Sequence, residues 1–290
     1  MPPAAETRYR PALSQAGLPP TQPADACDEY RNLRAMQVAA ERPLTIYLDR
    51  HEVVTLMTLG TRPELLALGY LKNQRLVQGL EDIRSVQVDW DVNAAAVTTH
   101  SGATGWLEKI KNRTVTTGCG QGTVFGDIMD QLAGIRLQPG TIRQSDLYAL
   151  LKNLNAYNEV YKSAGAVHGC ALCQGTEIVL FVEDVGRHNA ADAIAGYMWL
   201  EDIRGADKIF YTTGRLTSEM VIKVAQMGIP ALLSRSGITR MGLDLARETG
   251  VMLFSRAQGR HFLIYNGSEH VQFDVELPPK MSVPHLKTAE

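Results

Sequence analysis

Long hydrophobic runs are missing from this 290-residue chain. None approaches the roughly 20 apolar residues that cross a bilayer. The opening stretch MPPAAETRYRPALSQAGLPP has no apolar core of the signal-peptide kind. The expected location is therefore the cytoplasm, with no membrane insertion. Charge of one sign is missing too: 29 basic residues stand against 31 acidic ones, a net charge of −2. Proteins that neutralise many phosphates usually carry a basic excess, so nucleic acid is not an expected partner. Cysteine is scarce. Cys27, Cys119, Cys170 and Cys173 are too few to staple a chain of this length. There is no HExxH, no GxSxG, no P-loop GKS/T and no strand-linked GxGxxG. A zinc deaminase needs H-x-E and a downstream P-C-x-x-C. The chain has GCALC with neither the proline nor the H-x-E, so no catalytic zinc is expected.

What is present is a hydrophobic content of 45%, enough for a sizeable core. Residues 1–35, rich in Pro, Ala and polar side chains, read as a largely disordered tail. Two β-type runs, Leu44–Leu48 and Glu52–Leu56, flank a DRHE turn. A helical pattern opens at Pro63, and SVQVDWDV at 85–92 alternates like a strand. These elements predict a small mixed α/β domain over 36–115, followed by a mobile Gly/Cys loop at 116–128.

A second rhythm follows. Residues 145–162 predict one helix with Ser145 as N-cap. Apolar strands then alternate with helices: IVLFVEDV, a helix over 189–202, KIFYTTG, a helix over 217–227, PALLSRS, a helix over 239–248, VMLFS and HFLIYNG. Strands this apolar predict a parallel or mostly parallel sheet covered on both faces. The fold class is thus α/β, with a larger domain over 129–270 and a C-terminal tail over 271–290.

In open α/β sheets, ligands sit beyond the carboxyl ends of the strands. Three polar loops fall there: EDVGRHN at 183–189, TTGRLTSEM at 212–220 and SRSGITR at 234–240. Their convergence would gather Asp184, Gly186, Arg187, His188, Gly214, Arg215, Ser218, Glu219, Arg235 and Ser236 around an anionic, phosphate-bearing ligand. The plainer reading makes them helix caps and interdomain salt bridges. Cys119 stands between Gly118 and Gly120 in TVTTGCGQGTVFG, where mobile backbone suits a nucleophile or sulfur carrier; inert packing is the alternative. GAVHGCALC supplies His168, Cys170 and Cys173. One CxxC is a weak zinc signal, and packing, redox or sulfur transfer, and metal binding all stay open for it. Two rival functions remain on these residues: a nucleotide-binding hydrolase or deaminase-like enzyme, and a zinc-stabilised interaction module.

EDVGRHNAADAIAG at 183–196, TTGRLTSEMVIKVAQMGIPALLSRSGIT at 212–239 and ERPLTIYLD at 41–49 together resemble the FdhD family, over roughly residues 38–266. The resemblance implies a homodimer whose C-terminal domain has the cytidine-deaminase-like α/β/α fold. It also implies a sulfur carrier that takes persulfide sulfur from a cysteine desulfurase. That sulfur would pass to the molybdenum bis-guanine-dinucleotide cofactor needed by the formate dehydrogenase catalytic subunit. Either that cofactor, held as a client, or a guanine nucleotide in its place would occupy the C-terminal domain. In the family's CGxCG loop Cys119 matches the first cysteine, and Gly122 stands where the second would be. Either Cys170 or Cys173, beside His168, would then serve as a relay, or Cys119 would work alone. The resemblance carries the EDVGRHN loop over whole, which adds Asn189 to the expected site, while Ala193 stands where many family members have a lysine and implies one missing cation. FSRAQGRHFLIYN at 254–266 resembles the cofactor-proximal segment and adds Arg256 and Gly259.

Overall fold

The computed structural model describes residues 9–100, 102, 114–115, 122–123, 132 and 134–276. The N-terminal part holds β1 (Ala12–Leu13), β2 (Thr21–Cys27), β3 (Leu33–Ala39), β4 (Arg42–Leu48), β5 (His51–Thr58), α1 (Pro63–Asn73), β6 (Ile83–Asp89) and β7 (Ala94–Thr99). Five of its strands form one sheet in the order β1-β6-β7-β4-β5. Alternation explains its inner face: Leu44, Ile46 and Leu48 of β4 point into the core while the residues between them are only partly covered.

Residues 9–35 depart from the expected tail. β1 pairs with β6, and β2 pairs with β3 as an antiparallel hairpin. The hairpin leaves Tyr30, Leu33, Met36 and Val38 exposed. A strand pair with both faces wet shows no alternating pattern, so nothing in its sequence announced it.

Pro63 starts α1 at a position where its missing N–H costs nothing. The helix is buried nearly all round because it lies between the N-terminal sheet and a second helix from the other half of the chain.

That half begins with two short pairs. β8 (Thr114–Val115) lies antiparallel to β9 (Gly122–Thr123), and β10 (Ile142–Arg143) pairs with β17 (Val271–Gln272). Between them run α2 (Gln144–Leu154), α3 (Glu159–Ala164), β11 (His168–Gln174), β12 (Glu177–Asp184), α4 (Arg187–Glu201), β13 (Lys208–Thr212), α5 (Ser218–Gln226), β14 (Ala231–Ser234), α6 (Arg240–Thr249), β15 (Met252–Gln258) and β16 (His261–Asn266). Six strands make the main sheet, in the order β12-β11-β13-β14-β15-β16. Residues of α4, α5 and α6 pack on one face and those of α2 on the other, an α/β/α arrangement.

Four expectations need correction. The sheet is mixed: β13, β14 and β15 run parallel, but β11 is antiparallel to both β12 and β13, and β16 is antiparallel to β15. The helix expected over 145–162 is two helices, broken where Asn158 takes a left-handed φ of 69°. Ser145 is not its cap. The N-cap is Arg143, and the Ser145 hydroxyl and amide donate to the Asp274 carboxylate at 2.7 and 2.9 Å. Residues 271–276, assigned to a tail, therefore tie back onto the domain.

The two halves meet where α1 crosses α4. A Cβ on Gly69 would sit 1.7 Å from the Asp192 carbonyl oxygen, and one on Gly196 would sit 2.0 Å from that of Leu65. Only glycine permits this backbone-to-backbone approach. Beside it the Asp192 carboxylate, 0% exposed, accepts Asn73 Nδ2 at 2.6 Å and buried Lys223 Nζ at 2.5 Å.

Candidate functional site

Because β11 opposes both of its neighbours, the carboxyl ends of β12, β13, β14 and β15 share one edge with the start of β11. The three polar loops converge there. Gly169 N–H donates to Thr213 Oγ1 at 3.0 Å, and Thr213 N–H to the Gly169 carbonyl at 2.9 Å. The Ser234 hydroxyl donates to the Gly214 carbonyl at 2.6 Å and accepts Ser236 N–H at 2.9 Å. Leu216 and Ile238 form an isolated parallel bridge. Arg256, at a left-handed φ of 50° in an irregular part of β15, donates its N–H to the Ser236 carbonyl.

A cavity of about 350 Å³ opens at this edge. It is lined by Asn158, Tyr161, Val167, His168, Thr213, Arg235, Ser236 and Gln258. His168, Arg235 and Ser236 were expected at a site. Asn158, Tyr161 and Gln258 were not; the left-handed Asn158 that breaks the helix is what brings α3 over the opening.

Among the described residues, none of Arg187, Arg215, Arg235 and Arg256 makes an ion pair. Arg187 is buried, and its Nε has no hydrogen-bond partner among the described residues. Its stem passes over Gly214, where a Cβ would lie 2.6 Å from Arg187 Cδ. Gly214 therefore makes room for an arginine. Helices α4 and α5 start at Gly186 and Thr217 with no side-chain cap, whereas α6 is capped by Thr239. Two uncapped helix N-termini and unpaired arginines suit an anion.

His188 is buried within this cluster. Burial, with the charges of Lys223, Arg187 and His168, drives its pKa down to about 2. Glu219 Oε2 stands 3.1 Å from His188 Nε2 but out of line for a hydrogen bond, and burial outweighs its attraction. The ring is thus neutral, with both nitrogens unsatisfied among the described residues. His168 is also shifted down, first by burial and then by Arg187 and Arg215. Ser218 and Glu219 open α5 half-buried. Gly259, at a φ of 60°, turns β15 into β16 with open space around it. Arg260 leaves the edge to lie 5.3 Å from the Tyr148 ring centroid.

Asp184 and Asn189 face the protein. The Asp184 carboxylate accepts Thr58 Oγ1, Leu59 N–H, Asn189 Nδ2 and Gly186 N–H. Burial raises its pKa against the pull of those four bonds. Ala193 is packed in the apolar core.

The sulfurs of the CxxC are not brought together. The motif lies in β11, an interior strand, where Cys170 packs toward α4 and Cys173 toward α2 on opposite faces. Burial pushes both thiols up to about 12. At that value the thiolate fraction at neutral pH is on the order of 10⁻⁵, which disfavours a relay. Among the described residues no cluster of three His, Cys, Asp or Glu has metal-ligand geometry. Iodoacetamide on the folded chain is expected to leave Cys170 and Cys173 unmodified, with both alkylated after urea; peptide mapping reads this, and native labelling of either would restore the relay. Cys119, and the 116–128 loop except Gly122–Thr123, lie outside the described residues.

The FdhD/NarQ family model matches residues 39–272. A protein named sulfur carrier protein FdhD from Bacillus licheniformis is 29% identical over 238 residues, spanning 82% of this chain and 90% of its own. Its namesake from Geobacillus kaustophilus is 29% identical over 248 residues, spanning 84% and 94%. A crystal structure titled as a formate dehydrogenase accessory protein, from Desulfotalea psychrophila, matches with a TM-score of 0.69 at 25% identity. It covers 87% of this chain and 98% of that one. The family match takes in the edge and each arginine on it, and the chain belongs to the FdhD/NarQ family.

Proposed function

We propose that this chain is a cytoplasmic, homodimeric sulfur carrier that serves formate dehydrogenase. Cys119 takes sulfur from a cysteine desulfurase and delivers it to the molybdenum bis-guanine-dinucleotide cofactor, which is cargo here and not a resident group. In the first step the Cys119 thiolate attacks the outer sulfur of the desulfurase persulfide. The old S–S bond breaks, the desulfurase thiolate leaves, and Cys119–S–SH forms with no net redox change. On delivery the new S–S bond breaks and the Cys119 thiolate is released. The two electrons that turn sulfane sulfur into a sulfido ligand come from the metal being sulfurated.

The observation that carries the reading is the edge with four arginines and no carboxylate pairing them among the described residues. A dinucleotide cofactor is rich in phosphate, and arginine beside helix N-termini is the donor set that phosphate calls for. The adjoining cavity has the size and the mixed lining of a small-ligand pocket. The shared name of the relatives supports the sulfur chemistry. Burial disfavours a second proton on His188 and on His168, and a neutral imidazole offers a ligand one N–H donor and one acceptor instead of a charge.

Intact-protein mass spectrometry after incubation with a cysteine desulfurase and cysteine tests the reading. The wild-type chain should gain about 32 Da, one sulfur, and C119A should gain nothing. An unchanged wild-type mass, with the desulfurase active on another acceptor, rules the carrier mechanism out.

A further inference from the structure

The segment 184–189 looks uniform in sequence but divides in space. Arg187 and His188 carry buried nitrogens without partners among the described residues. Asp184 and Asn189, on either side, spend their polar atoms on the protein. Asp184 Oδ1 accepts Asn189 Nδ2 at 2.9 Å and Gly186 N–H at 3.3 Å, so one oxygen grips both ends of the turn that opens α4. Asp184 Oδ2 reaches out of the domain. It accepts Thr58 Oγ1 at 2.5 Å and Leu59 N–H at 3.2 Å, at the end of β5 in the N-terminal sheet. Asn189 Nδ2 makes a parallel link to the Met57 carbonyl at 2.7 Å. The bonds of Asp184 to Thr58, Leu59 and Asn189 are buried and those to Gly186 and from Asn189 to Met57 are partly so; away from bulk water, hydrogen bonds to a charged group hold geometry most firmly.

We propose that Asp184 and Asn189 are positioning residues and not ligand contacts: they hold Arg187 and His188 at the carboxyl edge and make that geometry depend on β5 of the N-terminal sheet. The two halves of the molecule are thereby coupled to anion binding through one carboxylate. A ligand that needs Arg187 in place binds only the docked arrangement, and by linkage its binding strengthens the docking. This rests on the reading of the edge as a nucleotide-phosphate site.

The test uses the full chain with GDP as probe, its affinity read by calorimetry. Thr58→Val removes the hydroxyl that reaches Asp184 while leaving Arg187, His188 and Asp184 untouched. Its GDP affinity should fall about tenfold, the usual scale of such coupling. Thr58→Ser keeps the hydroxyl and should bind like wild type. Asp184→Asn, which turns an amide N–H₂ toward at least one pair of donors, should lose at least as much affinity as Thr58→Val. In both weakened variants Cys119 should still gain sulfur from the desulfurase, a step that does not use the edge. GDP affinity in Thr58→Val equal to wild type overturns the coupling while leaving the phosphate site standing. Absence of GDP binding in the wild type itself removes the phosphate site, and this inference with it.

Discussion

Gly196→Ala is expected to lower the melting temperature by about 6–12 °C, corresponding to roughly 3 kcal/mol of overpacking at about 2–4 °C per kcal/mol for a chain of this size. The added methyl would lie 2.0 Å from the Leu65 carbonyl oxygen and 2.9 Å from the Gly69 amide nitrogen. Neither is a side chain that can swing away, so α1 and α4 must separate. Separation opens the apolar contact between the two halves, which includes Leu66, Tyr70, Ala190 and Ile194. Gly69→Ala should do the same, since its methyl would meet the Asp192 carbonyl at 1.7 Å. Gly140→Ala is the control. Its Cβ meets nothing within 4 Å, and the smaller unfolded-state entropy of alanine makes the change neutral or mildly stabilising. Differential scanning calorimetry of the three variants checks the set. A Gly196→Ala chain that melts with the wild type would show that the crossing has slack.

Lys223→Met is expected to cost about 3–5 kcal/mol in urea unfolding, the usual consequence of stranding one member of a buried pair. Asp192 would be left fully buried with only the Asn73 amide beside it. Methionine fills nearly the same volume as lysine, so the loss reports charge and not a cavity. Adding Asp192→Leu should recover most of it, because removing both charges removes the desolvation penalty together with the attraction. An Asn73 amide without an acceptor would remain, worth about 1–3 kcal/mol. A double variant no more stable than Lys223→Met alone would mean that Asp192 is held by something other than this pair.

Local pattern made much of the fold readable. β4 and β5 alternate, α1 opens on a proline, and the later strands are short apolar runs set off by polar loops, so their existence and the edge where the loops meet followed from spacing. What local pattern does not contain is pairing. GAVHGCALC is small and mixed, with glycine and cysteine where valine or isoleucine would mark a strand, yet from His168 onward it forms an interior strand of the main sheet, second from one edge. Its insertion between β12 and β13, together with the antiparallel β16, makes a mixed sheet of one expected to be parallel or mostly parallel, and its place in a strand parts the two sulfurs of the CxxC. The site shows the same limit. Arg187, Arg235 and His168 were legible as polar residues at strand ends. Asp184 and Asn189 have the same composition signature but turn toward β5, because the N-terminal sheet supplies donors and an acceptor that lie over a hundred residues away in the chain.

The α1–α4 crossing also sets an order of events during synthesis. Helix α1 ends at Asn73 and α4 begins at Arg187. At about 5–20 residues per second the ribosome takes on the order of 10 s to pass from one to the other. Throughout that interval the side of α1 that α4 will cover, with Gly69 at its centre, faces solvent on a nascent chain. The N-terminal sheet can assemble early, but it must wait with an apolar helix uncovered, which makes this half the natural client of whatever shields unfinished chains at the ribosome.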